Sequence, residues 1–253
     1  MNVFGVLLAL GIGLVLGLLG GGGSILAVPT FLYVFHVEPK PAIAMSLVVV
    51  GMSALVGFIT HWRQGTINVR IALGFGALAM IGSFAGARVA RFVPASAQLA
   101  LFAAFALSAA LVMLRDSVRP RVAPAAHNAG TLRFSALLGV QAVAVGVLTA
   151  LIGAGGGFLI VPSLIFMANV PVKEAVGSSL LIIAMNAASG VAGYLGQVAF
   201  DWALVGWFTA LAAAGAVTGT RFMRRVPAAR IKQGFAIMIL VLGSYLVIRR
   251  LTH

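Results

Sequence analysis

Long apolar segments separated by short polar connections dominate the chain, and most approach the roughly 20 residues that a helix needs to cross a bilayer. The pattern predicts ten helical segments in two sets of five. The second segment of each set is short and begins at a glycine run, which is typical of a broken or re-entrant helix. The first set covers residues 3–20, 22–36, 41–61, 68–91 and 96–114, and the second covers residues 134–153, 155–169, 174–195, 201–223 and 229–249.

The two sets copy each other at one fixed spacing along the chain. Residues 20–29 read Gly-Gly-Gly-Gly-Ser-Ile-Leu-Ala-Val-Pro, and residues 153–162 read Gly-Ala-Gly-Gly-Gly-Phe-Leu-Ile-Val-Pro. The same spacing continues without a gap, and it pairs Ser46 with Ser179, Gln64 with Gln197 and Arg88 with Arg221. An internal duplication in an apolar chain predicts a transporter built of two pseudo-symmetric halves.

Composition makes lipid the solvent of this chain. Of its 253 residues, 62% are hydrophobic and 8% are charged, whereas an average soluble domain has about 25% charged residues. The net charge of +13 would suggest nucleic acid in a soluble protein, but the basic residues lie between apolar segments, as membrane-flanking charges do. We expect no nucleic-acid partner, and a multi-pass protein of a bacterial-type plasma (inner) membrane. The expected division is a first transmembrane repeat at 1–116, a connecting loop at 117–133 and a second repeat at 134–253.

The distribution of basic residues predicts how the repeats are oriented. If each repeat crosses the membrane an odd number of times, or if its short segment returns to the side of entry, 12 of the 17 basic residues share one face and 5 lie on the other. If the first two segments instead make one interrupted span, the split is 9 against 8. Because cytoplasmic loops are enriched in Lys and Arg, the first arrangement is favoured. It gives two repeats of opposite orientation with both termini outside.

The two glycine runs are the strongest candidate for a binding site. Glycine allows unusual dihedral angles and close approach to the backbone, and a helix N-terminus favours an anion. Tight helix packing is the alternative explanation. Neither run fits a nucleotide-binding loop, because no Gly-Lys-Ser/Thr follows and Ile25 and Phe158 break the Gly-x-Gly-x-x-Gly pattern. The candidate substrate-binding residues in the runs are Gly20, Gly22, Gly23, Ser24, Gly153, Gly155, Gly156 and Gly157.

Polar side chains inside the apolar segments extend this candidate site. Buried hydroxyls and amides need hydrogen-bond partners, so they complete the site of an oxyanion or bond across helices. The candidates are Ser46, Ser179 and Asn186, with Ser53 and Ser178 beside them.

Five further residues are candidates for coupling or for a vestibule. His61 can carry a proton near neutral pH, and its alternative is a loop histidine beside an interfacial aromatic belt. Gln64 and Gln197 follow the predicted segments 41–61 and 174–195. Arg88 and Arg221 either snorkel to the membrane surface or attract anions. Each arginine follows a Gly-x-x-x-Gly pair, Gly82-x-x-x-Gly86 or Gly215-x-x-x-Gly219, whose spacing predicts close helix packing.

The four acidic residues all fall in or beside predicted loops. They are Glu38, Asp116, Glu174 and Asp201. A carboxylate in mid-span is common in ion-coupled carriers, so this placement argues against a cationic substrate and against a carboxylate proton relay. It leaves open sodium held by backbone carbonyls and proton coupling through His61. No cluster of His, Asp and Glu has metal-ligand spacing, so we expect no enzyme, no cofactor and no metal.

The duplicated glycine motif resembles that of the TauE/SafE sulfite exporter family, also called the 4-toluene sulfonate uptake permease family. The residues that carry the resemblance are Gly20 to Pro29 and Gly153 to Pro162, with the two Gly-x-x-x-Gly-x-Arg elements and residues 196–202 in support. It extends over essentially the whole chain. It implies transport of a sulfur-containing anion such as sulfite, a sulfonate or sulfoacetate, by import or export.

The expected protein is therefore an all-α polytopic permease of two inverted repeats, each of about five segments with a short broken or re-entrant helix pair. A small sulfur-containing anion would bind between the repeats, and rocking of the repeats would expose it alternately. A passive anion channel and a non-transporting membrane assembly protein are the alternatives. A homo-oligomer is left open, as are the direction of transport and the coupling ion.

Overall fold

The structure is a computed structural model, and it describes residues 3–19, 22–63, 65, 67–118, 136–153, 155–166 and 170–222. The described residues form helices and connecting turns, with no strand. The helices are α1 (Val3–Leu19), α2 (Ala27–Tyr33), α3 (Pro39–Trp62), α4 (Val69–Val89), α5 (Ala95–Val118), α6 (Ala136–Ile152), α7 (Gly157–Phe166), α8 (Val172–Tyr194) and α9 (Trp202–Phe222). Short 3₁₀ helices at Gly22–Leu26 and Ala90–Phe92 precede α2 and follow α4. The tenth predicted segment lies outside the described residues.

Helix bounds repeat at the spacing seen in the sequence, the one that relates Gly20 to Gly153. At this spacing both ends of α6 correspond to the ends of α1, and both ends of α9 correspond to the ends of α4. The caps repeat as well, because Asn68 Oδ1 accepts from the Ile71 N–H and Asp201 Oδ1 accepts from the Leu204 N–H. Each of these side chains satisfies an N–H group that the first helical turn leaves without a partner.

Four described helices are long and apolar enough to cross a membrane, namely Pro39–Trp62, Val69–Phe92, Glu174–Tyr194 and Trp202–Arg221. Shorter apolar helices lie at Gly5–Leu18, Gly23–Tyr33, Ala95–Ser108 and Ala136–Ile152. The chain therefore has the architecture of an all-helical membrane protein, as the hydropathy pattern predicted.

Helix α5 continues further than the sequence analysis predicted. The predicted apolar segment covers residues 96–114, whereas the described helix covers Ala95–Val118 and includes Arg115 and Asp116.

The two halves interlock through glycine contacts. Helix α1 packs along α9, and α4 packs along α6, so each outer helix of one half lies on a helix of the other half. A Cβ atom on Gly82 would overlap the backbone carbonyl of Val143, and one on Gly215 would overlap that of Leu10. The packing role predicted for the two Gly-x-x-x-Gly pairs is confirmed, because a side chain at these positions would push the helices apart.

Helices α3 and α8 cross at the centre of the molecule in opposite directions. Gly51 faces Ala187, and further along α3, Gly57 faces Leu180. The residue numbers rise on one helix as they fall on the other, so the two helices run antiparallel. Since α3 and α8 occupy equivalent places in the duplication, this crossing is where the two halves meet face to face.

Candidate functional site

The segment after α1 folds back along the helix it follows. Gly23 lies against the backbone of Ile12 and Leu16, and Phe35 lies against Gly5 near the start of α1. In the second half, Gly156 lies against Thr149, and Gln141 Nε2 donates to Ser163 Oγ at 2.7 Å. In each half, the described segment that follows the glycine motif therefore packs along the first helix and returns toward its beginning.

The second glycine motif has a backbone conformation that favours glycine. Gly153, Gly155 and Gly156 have φ angles of 75°, 63° and 65°, in the left-handed region. An L-residue pays roughly 1–2 kcal/mol to adopt this conformation. The motif ends where Gly157 begins α7, and the Gly156 carbonyl accepts the N–H groups of Leu159 and Ile160.

Gly155 brings the second motif to the centre of the molecule. A Cβ atom there would overlap Val50 Cγ1 on α3, and it would lie 3.3 Å from Ser24 Cβ and 3.4 Å from Ile183 Cγ2. Val50 and Ile183 are equivalent positions of the duplication. Gly155 is thus located between the two crossing helices and against the first glycine motif, and the structure brings these sequence-predicted elements together.

Two of the predicted serines hydrogen-bond to the backbone. Ser46 Oγ lies 2.7 Å from both the Ile43 carbonyl and the Gly153 carbonyl, so its single proton is used within the protein. Ser179 Oγ donates to the Val176 carbonyl at 2.8 Å, which is the equivalent bond of the second half. These hydroxyls connect their helices to neighbouring backbone, and Ser46 fixes the left-handed turn at Gly153.

Asn186 has the strongest unmet need for a ligand. Its side chain is fully buried, and neither its Oδ1 nor its Nδ2 atom has a hydrogen-bond partner among the described residues. The Ser53 hydroxyl, at the equivalent position of the first half, is 1% exposed and also has no partner among them. Buried polar atoms in native proteins are nearly always paired, so each such group calls for an explanation, such as a bound ligand or a buried water.

Asn186 and Ser53 lie at the same level of the central crossing. Because Gly51 faces Ala187 and Gly57 faces Leu180, Asn186 is level with positions 51–52 of α3. At about 1.5 Å per residue, Ser53 is then within about 3 Å of that level along the axis. Gly155 lies between Val50 and Ile183, which are about one helical turn from Ser53 and Asn186 respectively. The unpaired polar groups and the second glycine motif therefore occupy one layer of the molecule.

Thr149 is a residue that the sequence analysis did not select. Its hydroxyl is buried and has no partner among the described residues, and it occupies the space that a Cβ atom of Gly156 would need. The equivalent residue of the first half is Leu16, so the hydroxyl is not required for this contact. A comparison of equivalent positions would have identified Thr149 as a polar residue that only one of the two halves contains.

The remaining glycine-motif candidates have mixed placements. Gly20 lies outside the described residues, and Gly22 begins the 3₁₀ helix. Gly23 packs on the α1 backbone, whereas Ser24 is buried with its Cβ next to Gly155. Among the described residues of the first motif, Ser24 is the one that contacts the position of a Gly155 Cβ atom.

The described candidates for coupling and for a vestibule lie away from this layer. Gln64 is outside the described residues, and Gln197 donates to the Ala87 and Gly193 carbonyls. Arg88 is exposed, with its guanidinium 5.2 Å from the centroid of the Phe84 ring, and Arg221 is exposed near the end of α9. The described positions of the two arginines fit the predicted surface role.

His61 and Tyr194 make equivalent contacts at the ends of α3 and α8. The buried His61 imidazole hydrogen-bonds to the backbone of Gly17, and Tyr194 Oη donates to the Ala150 carbonyl at 2.9 Å. Gly17 and Ala150 are themselves equivalent positions. Each side chain thus holds the end of a central helix to the first helix of its own half.

The described residues contain no group of three or more His, Asp or Glu side chains that could hold a metal ion. The central layer is built from backbone, hydroxyl and amide groups. Such groups bind by hydrogen bonds and dipoles, so the chemistry that they support is the binding of a small polar or anionic solute.

Apolar helices of membrane-spanning length, paired glycine turns and a polar central layer together define a polytopic membrane transporter. The sulfite exporter TauE/SafE family matches residues 5–246, and the chain belongs to that family. A "probable membrane transporter protein" of Xylella fastidiosa (strain Temecula1) is 33% identical over 94% of this chain and 92% of its own length. The "probable membrane transporter protein YdhB" of Bacillus subtilis is 29% identical over 93% of this chain and 96% of its own. No solved structure matches the chain.

Proposed function

We propose that this chain is a permease that carries a small sulfur-containing anion across the cytoplasmic membrane by alternating access. The observation that carries the proposal is the position of Gly155, between equivalent residues of the two crossing helices and level with the unpaired Asn186 amide. Exposed backbone and unpaired polar groups are tolerated at membrane depth where they line a solute pathway. Family membership supports the sulfur-containing class of substrate.

The proposed architecture is a pair of inverted repeats of five segments each, with a re-entrant hairpin at each glycine motif. The antiparallel run of α3 and α8 supports inversion, because equivalent helices of a parallel duplication would point the same way. The hairpins support the arrangement in which the positive-inside rule gives one strongly basic face and both termini outside. The relative motion would then be a rocking of one half against the other about the α3–α8 crossing.

The proposed site holds the anion at the central layer. Asn186 Nδ2 and the Ser53 hydroxyl would donate to the oxygens of the anion, and Ser24 would lie beside the site next to Gly155. The backbone near the start of α7 would contribute its partial positive charge. Ser46 and Ser179 would support this site through the backbone to which they are bonded, without direct contact with the anion.

The test is flux in proteoliposomes that contain the purified protein. Efflux of sulfite, methanesulfonate, an arylsulfonate and a small carboxylate would be followed with and without the same anion on the other side. A permease gives saturable flux that the anion on the opposite side accelerates, with a preference for sulfur-containing anions. Single-channel conductance would indicate a channel, and flux no faster than that of protein-free vesicles would contradict the transport proposal. Proton and sodium gradients imposed in the same vesicles would identify a coupling ion.

Replacing His61 by tyrosine is expected to leave transport within about twofold of the wild-type rate. Tyrosine is the residue at the equivalent position of the second half, where it anchors the helix end to the Ala150 carbonyl. If His61 is likewise an anchor to the Gly17 backbone, a tyrosine hydroxyl can replace it. Flux and melting temperature would be measured together, with His61→Ala as the variant that removes the anchor. A His61→Tyr protein that melts normally but has lost proton-coupled flux would instead identify His61 as the proton carrier.

A further inference from the structure

The described helices around the central layer contain no Lys or Arg away from their ends. The sequence contains no Lys or Arg in residues 41–62, 71–87, 134–172 or 174–220. Those ranges include nearly all of α3, α4, α6, α7, α8 and α9. An anion in the central layer would therefore be held without a full positive charge from a Lys or Arg of these helices.

The groups that the central layer does offer are neutral dipoles. Thr149 is 2% exposed, and its unpaired hydroxyl is directed at Gly156, the residue before the start of α7. Asn186 adds an amide and Ser53 a hydroxyl, both buried and unpaired among the described residues. The N-terminus of α7 adds the equivalent of about half a positive charge. Together these groups can compensate for part of one negative charge.

We infer that the site selects anions by valence, so that it binds monovalent sulfur oxyanions and excludes divalent ones. Thr149 would be one of its ligands, and only the second half of the duplication contains this ligand. The inference rests on the proposed function and narrows its substrate class. The cost of desolvating an ion rises with the square of its charge, so a dianion pays about four times as much as a monoanion of the same size. The attraction of neutral dipoles and of one helix terminus rises only in proportion to the charge, so a dianion recovers a smaller share of its desolvation cost than a monoanion does.

This selection has a consequence for sulfite, which exists as both hydrogen sulfite and sulfite near neutral pH. The transported species would be hydrogen sulfite, which carries one negative charge and one proton. After release, part of it dissociates, so each transport event delivers protons to the receiving side. Sulfate and sulfoacetate, which are dianions at neutral pH, would be excluded, whereas an alkanesulfonate would be accepted.

The experiment compares three anions in the same proteoliposomes over a range of pH. Methanesulfonate keeps one negative charge throughout and sulfate keeps two, whereas sulfite changes from one to two as pH rises. We expect methanesulfonate flux that is independent of pH, and sulfate flux at least about tenfold slower, equivalent to about 1.4 kcal/mol or more. Sulfite flux should fall as pH rises, in proportion to the hydrogen sulfite fraction, and a pH dye inside the vesicles should report acidification during sulfite uptake.

The methanesulfonate control distinguishes titration of the protein's own side chains from titration of sulfite. The buried titratable side chains among the described residues are His61 on α3 and Tyr194 on α8. If either one gated transport, methanesulfonate flux would change with pH in the same way as sulfite flux. That result, or sulfate moving as fast as methanesulfonate, would overturn valence selection and leave the permease proposal standing. No flux of any anion would overturn the permease proposal and the inference together.

Thr149→Val removes the hydroxyl and keeps the shape of the side chain. We expect methanesulfonate flux at subsaturating concentration to fall about tenfold or more, because a hydrogen bond to a charged group is lost. The matched control is Thr220→Val, since the Thr220 hydroxyl is also buried but donates to the Ala216 carbonyl of its own helix. Equal flux in Thr149→Val and the wild type would remove Thr149 from the site.

Discussion

Replacing Gly155 by alanine is expected to reduce anion flux to the background of protein-free vesicles. The new Cβ atom would overlap Val50 Cγ1 and crowd Ser24 and Ile183, so α3 and the first glycine motif would have to move apart. The φ angle of 63° adds roughly 1–2 kcal/mol of backbone strain, and overpacking a buried position costs about 1–3 kcal/mol more. Flux and melting temperature of the same purified protein would be measured, with a lower melting temperature expected.

The matched control for this variant is Gly65→Ala. Gly65 has a φ angle of 67°, almost the same as Gly155, but a Cβ atom there would meet no other atom within 4 Å. The control therefore imposes the same backbone strain without the collision at the central crossing. We expect Gly65→Ala to lose some stability and to keep its transport. A Gly155→Ala protein that transports at the wild-type rate would place the substrate pathway elsewhere.

The duplication explains why so much of the fold could be predicted. Each predicted segment that falls in the described residues corresponds to a helix. An apolar run in one half had to reappear at the same spacing in the other, so each half provided a test of the prediction for the other. The ends of the helices could be predicted less precisely than the presence of the helices. Helix α5 passes through Arg115 and Asp116 to Val118, beyond the predicted apolar segment, because charged residues do not by themselves end a helix.

The partners of the helices could not be predicted from the sequence. The Gly-x-x-x-Gly pairs indicated close packing but not which helix they would meet, and the structure places α1 on α9 and α4 on α6 across the two halves. The Ser46 hydroxyl was predicted as a substrate ligand, and its bond to the Gly153 carbonyl, far away along the chain, is a contact that only the folded protein creates. Long-range contacts of this kind determine which buried hydroxyls remain available.

Whether a buried polar group has a hydrogen-bond partner also distinguishes the candidate site residues from one another. Asn186 was predicted because an amide is costly to bury, and the structure leaves both of its side-chain polar atoms unpaired among the described residues. Thr149 was missed because threonine in an apolar helix usually bonds to its own backbone, as Thr30 does with the Leu26 carbonyl. The Thr149 hydroxyl differs from that of Thr30 because it has no hydrogen-bond partner among the described residues and lies next to Gly156.

Replacing Asn186 by leucine is expected to raise stability while it abolishes transport. Leucine has the same branched arrangement of side-chain heavy atoms, and it removes two buried polar atoms that have no partner among the described residues. An unpaired buried polar group costs about 1–3 kcal/mol, so the melting temperature should rise by the equivalent of that amount. The loss of a hydrogen bond to the anion, at about 1.5–3 kcal/mol, predicts a decrease in flux at subsaturating substrate of about ten- to a hundredfold.

The opposite signs of the two effects distinguish a binding residue from a structural one. Ser189 lies on the same helix, and its hydroxyl donates to the Met80 carbonyl at 2.7 Å, so Ser189→Ala should lower stability by about 0.5–1.5 kcal/mol and keep transport. A loss of stability in Asn186→Leu would mean that the amide is paired in the folded protein and serves helix packing. A gain of stability with normal flux would mean that the amide is unpaired and does not contact the substrate. Only a more stable protein that has lost transport fits an amide kept unpaired for an anion.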